Sequence, residues 1–553
     1  MSEKQQSEKN LLIQGTILAA AGVITKIIGA VYRVPLVGIL GDKGLGYYGV
    51  AFQIYAIALT LTSYSLPVAV SKLVSARVAV GEYKNAYKVF RGALAFAITV
   101  GGTAALIIFF GAGVIAKNIM AMSMSVYALR VLAPCILIVA ILGVFRGFFQ
   151  GNGSMMPTAI SQILEQIINA VVSIGGAYVL LKAGRAVGKT RGDSSYGEAY
   201  GAAGGTLGTV AGAAAALVLV VFIFLVYQRV VKKKMKKDRS RHKETYEEIF
   251  RVLLLTIAPV ILSATVYNIC GVIDNAMFGK IMAAQGHKES EYAALLGIIS
   301  GKYDTLINVP LAFSSAIASA MMPSIVAAVK NRSRKQLHNK IELFSRFTMV
   351  VALPSAVGFI VLAKPLLDLI FFTEDNRIAA VTLQFGALSV IFYCLSTITN
   401  AALQGMDRMM TPVYSAAAAL VVHIISLFIM MVVFKWGIYA VVLSKIVFSV
   451  TACIFNAHAL REYAGFVQER KKTFIIPAIA SVIMGVVALV VHLFFELFLG
   501  THIATILALL AAVAVYCSAN NLLGGLTQAE IRPMATGNKL GGGCIKRPAF
   551  PSQ

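Results

Sequence analysis

Apolar residues run in long blocks along this chain, separated by short polar stretches, without the strict alternation of half-buried strands. A helix needs about 20 apolar residues to cross roughly 30 Å of hydrocarbon. Blocks of that length fall near 11–40, 46–71, 89–116, 125–145, 157–181, 203–228, 252–279, 293–328, 343–370, 380–404, 412–433, 438–460, 474–498 and 502–525. They predict an all-α, polytopic membrane protein with about fourteen transmembrane helices. The first ten residues are polar and the block that follows has no small-residue cleavage site, so the opening segment is expected to be a span and not a removable signal.

The polar punctuation repeats. Leu66-Pro67 returns as Met322-Pro323, Phe90-Arg91 as Ser345-Arg346, and Gln150-Gly151 with Met155-Met156-Pro157 as Gln404-Gly405 with Met409-Met410-Thr411-Pro412. The offset stays within 254–256 residues, which predicts a six-helix unit used twice. Six is even, so both copies enter the membrane in the same sense and form parallel repeats, with the site between them. The expected organisation is a first lobe over 1–228, a basic cytoplasmic linker over 229–251, a second lobe over 252–462, two appended helices over 463–526 and a flexible cytoplasmic tail over 527–553. The Gln-Gly and Pro pairs are themselves ordinary helix punctuation. Gly204, Gly208 and Gly212 make a small-residue face for close helix packing.

Composition sharpens the class. Of 553 residues 58% are hydrophobic and 13% charged, with a mean hydropathy of +0.80. The net charge of +25 would suggest nucleic acid in a soluble chain. Here Lys and Arg gather in loops that share one side if the N-terminus is cytoplasmic, so the basicity reads as topology, with both termini inside and no nucleic-acid partner. The largest cluster, Arg229 to Lys243, is an ordinary solvated loop that can also anchor to anionic lipids of the inner leaflet.

Chemistry-bearing motifs are scarce. Six cysteines, Cys135, Cys270, Cys394, Cys453, Cys517 and Cys544, stand singly without a CxxC pair and are expected to fill core space. Ala183 to Thr190 fits a loosened phosphate loop, but such a loop needs a preceding strand, and here an apolar helix precedes it. The seven histidines are isolated, no HExxH occurs, and no Ser, His and acid constellation suggests itself. No enzyme activity, metal or cofactor is expected.

Charges inside the apolar blocks remain. Lys26 and Arg33 lie in the first block, seven residues and roughly 10 Å apart on one helix face. A cation at a helix centre costs about 2.5–3.5 kcal/mol, so that face must look at water or at a partner. The same argument nominates Arg130 and Glu165 in the first half, Asp274, Lys302, Asp304, Lys364, Asp368 and Lys445 in the second, and Glu496 in the thirteenth helix. Lys302 and Asp304 stand close enough for a structural ion pair, which competes with a substrate role. The first half carries three cations against Glu165, an imbalance that favours an anionic ligand.

Lys26 to Arg33, then Gly46-Tyr47-Tyr48, then Ser65-Leu66-Pro67-Val68-Ala69-Val70-Ser71-Lys72-Leu73-Val74 resemble the stage V sporulation protein B family. That family belongs with MurJ-type lipid II flippases in the multidrug/oligosaccharidyl-lipid/polysaccharide (MOP) exporter superfamily. The resemblance implies MATE/MurJ-like lobes in a V, a basic central cavity and an apolar groove formed by the last two helices. Lys26 and Arg33 fall near the family's first-helix cations, and Asp274 matches a seventh-helix acid. Thr305 stands where the MurJ-type pattern has an arginine before Val309-Pro310-Leu311, so Lys302 becomes the substitute cation. The implied function is translocation of an undecaprenyl-pyrophosphate-linked peptidoglycan or related polysaccharide precursor to the outer leaflet of a bacterial plasma membrane, by a monomer; H⁺ and Na⁺ are candidate coupling ions, a choice the sequence leaves open. A MATE-type H⁺- or Na⁺-coupled efflux antiporter and a membrane-embedded glycosyl- or phosphotransferase are the alternatives.

Overall fold

The computed structural model describes residues 3–63, 65–238, 240, 244–372 and 375–525. Cys544, the tail over 527–553 and part of the basic linker lie outside the described residues. Every regular element among the described residues is helical. In chain order they are α1 (Glu3–Thr62), α2 (Leu66–Ala79), α3 (Tyr83–Val114), α4 (Val126–Gly151), α5 (Met156–Arg191), α6 (Ser195–Lys237), α7 (Tyr246–Ala284), α8 (Glu289–Gly297), α9 (Asp304–Lys330), α10 (Arg334–Val361), α11 (Ala363–Ile370), α12 (Arg377–Gly386), α13 (Leu388–Gly405), α14 (Thr411–Val432), α15 (Ile438–Ala464), α16 (Ile476–Leu499) and α17 (Thr501–Leu522).

Among the described residues, twelve helical stretches are long and apolar enough to cross a membrane. The first runs from Ala20 to Ala79 and takes in the predicted span 46–71 and the larger part of 11–40, joined at Gly41. Gly41 has φ 62° and ψ 174°, a region essentially closed to residues with a Cβ, and it bends α1 between its two arms. The predicted span 252–279 corresponds to α7. Counted so, the elements match a plan of about fourteen helices.

The helices form two compact units, residues 1–308, 370–386 and 409–452 in one and 309–369, 387–408 and 453–553 in the other. The first unit has a core in which Phe90, Phe145, Phe148 and Phe224 pack with ring centroids 4.7–5.8 Å apart. Beside it α5 and α6 touch backbone to backbone, since a Cβ on Gly204 would stand 2.1 Å from the Gly176 carbonyl oxygen and one on Gly208 2.5 Å from that of Asn169. The basic linker is fastened to α2 and α3: Arg77 donates to Glu244 at 2.8 Å, and Asp238 accepts from the Lys84 backbone N–H at 2.7 Å. A capping box between Thr245 and Glu248 then starts α7. In the second unit, α9, α10 and α13 share a core around Met321, Ile341 and Ile398, and α16 packs with α17 through Ala480, Ala488 and Ala508.

Of the cysteines, Cys135, Cys270, Cys394 and Cys453 are buried, as expected of core fillers, whereas Cys517 is exposed on α17.

Candidate transport site

The intramembrane charges of the first unit sort into those that have neutralised one another and those that have not. Arg146 on α4 donates to Glu165 on α5 at 2.8 Å, with its Nε also bonded to Ser161 Oγ at 3.0 Å. Lys302, 0% exposed, sits 2.8 Å from Asp42 at the bend of α1. Lys445 on α15 donates to Asp304 at the start of α9 at 3.0 Å, and its ammonium lies 5.3 Å from the centroid of Tyr303. Lys302 and Asp304 are therefore each paired, but not with one another. Residues two apart do not face each other on a helix, and a π-helical turn over Ile298–Tyr303 leads directly into α9.

The first-helix cations differ from these. Lys26 is exposed and has no carboxylate partner among the described residues. Arg33 is half-buried and donates from Nη1 to Thr305 Oγ1 at 3.3 Å; Thr305 in turn donates to the Gly301 carbonyl at 2.6 Å. A neutral hydroxyl orients the guanidinium without discharging it. Thr305, which stands where the resemblance implies an arginine, meets the first-helix arginine directly. Arg130 on α4 is exposed, likewise without an acidic partner among the described residues.

A fourth pair has a different chemistry. Asp274 on α7 is buried against His423 on α14, with Oδ1 to Nε2 at 2.5 Å, while His423 Nδ1 lies 2.8 Å from the Ser444 carbonyl of α15. A carbonyl only accepts, so Nδ1 carries a hydrogen and Nε2 faces the carboxylate. Either Nε2 or Asp274 must then hold a proton for the 2.5 Å contact to be attractive. Cys270, one turn before Asp274 on α7, brings its sulfur beside them, and the three ligand atoms lie within 4.8 Å of one another. Among the described residues this is the grouping with the donors to hold a metal ion.

Sequence spacing gave no sign of two of these partners. Asp42 falls in a predicted loop, and His423 is one of the isolated histidines; each gains its role only when a helix distant in sequence packs against it.

A model of the family described as "Polysaccharide biosynthesis protein" matches residues 11–329, and one described as "MatE" matches 259–429. The chain belongs to the polysaccharide biosynthesis protein family. Among curated relatives, the lipid II flippase MurJ of Bacillus subtilis is 23% identical over 425 residues, covering 75% of this chain and 76% of that one. Stage V sporulation protein B of the same organism is 37% identical over 165 residues, which is 29% of this chain and 31% of that protein. Among solved structures, an inward-facing multidrug resistance MATE family transporter of the MOP superfamily superposes with a TM-score of 0.64 at 16% identity, covering 80% of this chain and 94% of that one. The lipid II flippase MurJ in an inward closed conformation gives 0.61 at 16% identity over 92% and 98%. At that identity the two structures speak for the fold alone. Family, fold and apolar helices together make this polysaccharide biosynthesis family member a multi-pass membrane protein with the fold of the MATE and MurJ structures.

Proposed function

We propose that the protein moves a polyprenyl-pyrophosphate-linked glycan, lipid II or a related precursor, from the inner to the outer leaflet by alternating access. The observation that carries this reading is the pairing pattern. Lys302, Lys445 and Arg146 are each neutralised by a carboxylate, whereas Arg33 is held only by Thr305 and Lys26 by no acid among the described residues. A pyrophosphate headgroup is a dianion that hydrocarbon excludes, and its polyprenyl tail can remain in lipid. Arg presents a planar fork to phosphate oxygens and Lys a point charge, so the unneutralised face of α1 suits the headgroup. Arg130 adds a cation further along the path, while Asp274, Asp304 and Glu165, already paired, position helices. With the N-terminus cytoplasmic, an inside-negative potential favours outward release of the anion by about 2.3 kcal/mol per charge per 100 mV.

Depletion of the resident lipid II flippase provides the test. Arg33→Ala, expressed at wild-type level, is expected to abolish rescue of growth, and Lys26→Ala to weaken it. Rescue by Arg33→Ala would overturn the reading. Mass spectrometry of co-purified lipid is expected to find a polyprenyl-pyrophosphate glycan.

A cation-coupled efflux antiporter is the second reading, favoured by the MatE match over 259–429, which contains both Asp274 and His423. It predicts that Asp274→Asn abolishes drug resistance conferred on a sensitive host, with no effect on wall precursors.

A further inference from the structure

We propose that the second unit carries a binding site for the phosphate of an anionic phospholipid, separate from the α1 cations. A cavity of 310 Å³ opens at the turn between α9 and α10, lined by Arg332, Arg334 and Arg408 with Ser333, Tyr463 and Met406. Three helix ends meet there: α9 stops at Lys330, α13 at Gly405 and α15 at Ala464. The cavity therefore lies where spans leave the membrane, at the level of headgroups.

Three guanidinium groups converge on this space without a carboxylate. No ion pair joins Arg332, Arg334 or Arg408 to an acid among the described residues, and Asp407 and Glu462, the nearest acids in sequence, do not line the cavity. Arg408 is fixed instead by stacking over Tyr463, 4.4 Å from the ring centroid, which holds the charge in place and leaves its donors open. Ser333 caps α10, accepting from the Gln336 N–H at 3.4 Å, so the positive end of that helix adds to the field.

The sequence repeat shows what is missing. Shifting Arg332 back by the 255-residue offset lands on Arg77, which meets the corresponding turn of the first copy and binds Glu244 of the linker through Nε and Nη2, both at 2.8 Å. The segment that follows α15 in the second copy has an acid, Glu469, but it accepts from its own helix start, Lys472 and Thr473, at 2.9 Å and lies 3.8 Å from Arg346. One copy thus supplies its own anion; the other keeps three cations around an open cavity. Loop positive charge alone does not account for the difference, because the first copy is basic as well.

The chemistry is that of a phosphate oxygen cluster, available from a lipid headgroup or from soluble phosphate. The lining favours lipid. Val329 and Tyr463 are exposed apolar or amphipathic surface at the ends of α9 and α15, placed to meet glycerol and acyl chain, and basic pockets between spans are recurrent sites for acidic headgroups.

The experiment uses the full chain purified from mixed micelles of phosphatidylglycerol and phosphatidylcholine and weighed intact by native mass spectrometry. Wild type is expected to retain phosphatidylglycerol in preference to phosphatidylcholine. Each Arg→Gln change is expected to weaken that preference about fivefold, so Arg332→Gln/Arg408→Gln lowers it by roughly 25-fold. A charge-matched control, Lys233→Gln/Lys237→Gln in the linker, should leave it unchanged; an equal loss there would overturn the proposal by showing bulk electrostatics. Inorganic phosphate at about 10 mM separates the sources. If phosphate binds without lipid and removes the preference, the lipid assignment falls. Should the double variant not give monodisperse protein, Arg334→Gln, exposed at the start of α10, carries the same test. Arg33→Ala, which tests the α1 headgroup site, should retain the preference, so failure of one reading is distinguishable from failure of the other.

Discussion

Lys302 shows how burial changes the meaning of a charge. Hydropathy alone nominates it as a substrate ligand, yet its ammonium is wholly enclosed and 2.8 Å from Asp42. Removing one partner of a buried pair leaves an uncompensated charge, a loss of about 3–5 kcal/mol, whereas replacing both by apolar residues is often neutral. Asp42→Asn is therefore expected to lower thermal stability in detergent sharply, and Asp42→Asn/Lys302→Met to recover most of it. A substrate role for Lys302 would instead predict normal stability with lost transport. Glu469 makes a second residue-scale case. Burial pushes its pKa up, but the N–H groups of Lys472 and Thr473, the Thr473 hydroxyl and the Arg346 charge outweigh that and hold it below the ordinary glutamate value of 4.5. A depressed carboxyl stabilises the fold fully above its unfolded pKa and loses that contribution as pH falls through its folded pKa. The stability gap between wild type and Glu469→Gln is thus expected to be constant from neutral pH to about 4.5 and to close only at lower pH, which thermal scans across pH would read.

Among elements, the α5–α6 pair is the most tightly specified. Three glycines spaced by four on α6 let it lie against α5, and the Gly204–Gly176 crossing leaves no room for a methyl group. Gly204→Val is expected to cost at least the 1–3 kcal/mol of an overpacked core, while Gly22→Ala, with nothing within 4 Å of the added Cβ, should be silent. Thermal shift assays on the two variants check this. The bend at Gly41 is equally local in origin and distant in effect, because its φ of 62° turns Asp42 toward Lys302. That one apolar stretch becomes two arms was legible from the predicted break between 40 and 46. That Asp42 would then hold a buried lysine was not, because the lysine lies 260 residues further along.

At the scale of the whole molecule, topology is the property most open to test. The basic linker and the turns at 329–342 and 465–473 are expected on the cytoplasmic side. A cysteine placed at Lys288 in a cysteine-free background should react with an impermeant maleimide in intact cells, and one at Lys237 only after permeabilisation. The reverse pattern would invert the membrane orientation and with it the direction proposed for transport.

Hydropathy along the chain was enough to fix the membrane class, the helical architecture and the candidate cations. Long apolar blocks have one low-energy outcome in hydrocarbon, where each backbone polar group must be satisfied within its own helix. The chain's helix punctuation also recurs at an offset of 254–256 residues, the basis for expecting a unit used twice. Which of those charges are neutralised depends on how the helices pack. Coulomb attraction and desolvation depend on distances of a few ångströms between residues that are 141 to 260 positions apart, as in Asp304–Lys445, Asp274–His423 and Asp42–Lys302. Arg33 stands out from them because the residue packed against it is a threonine and not an acid.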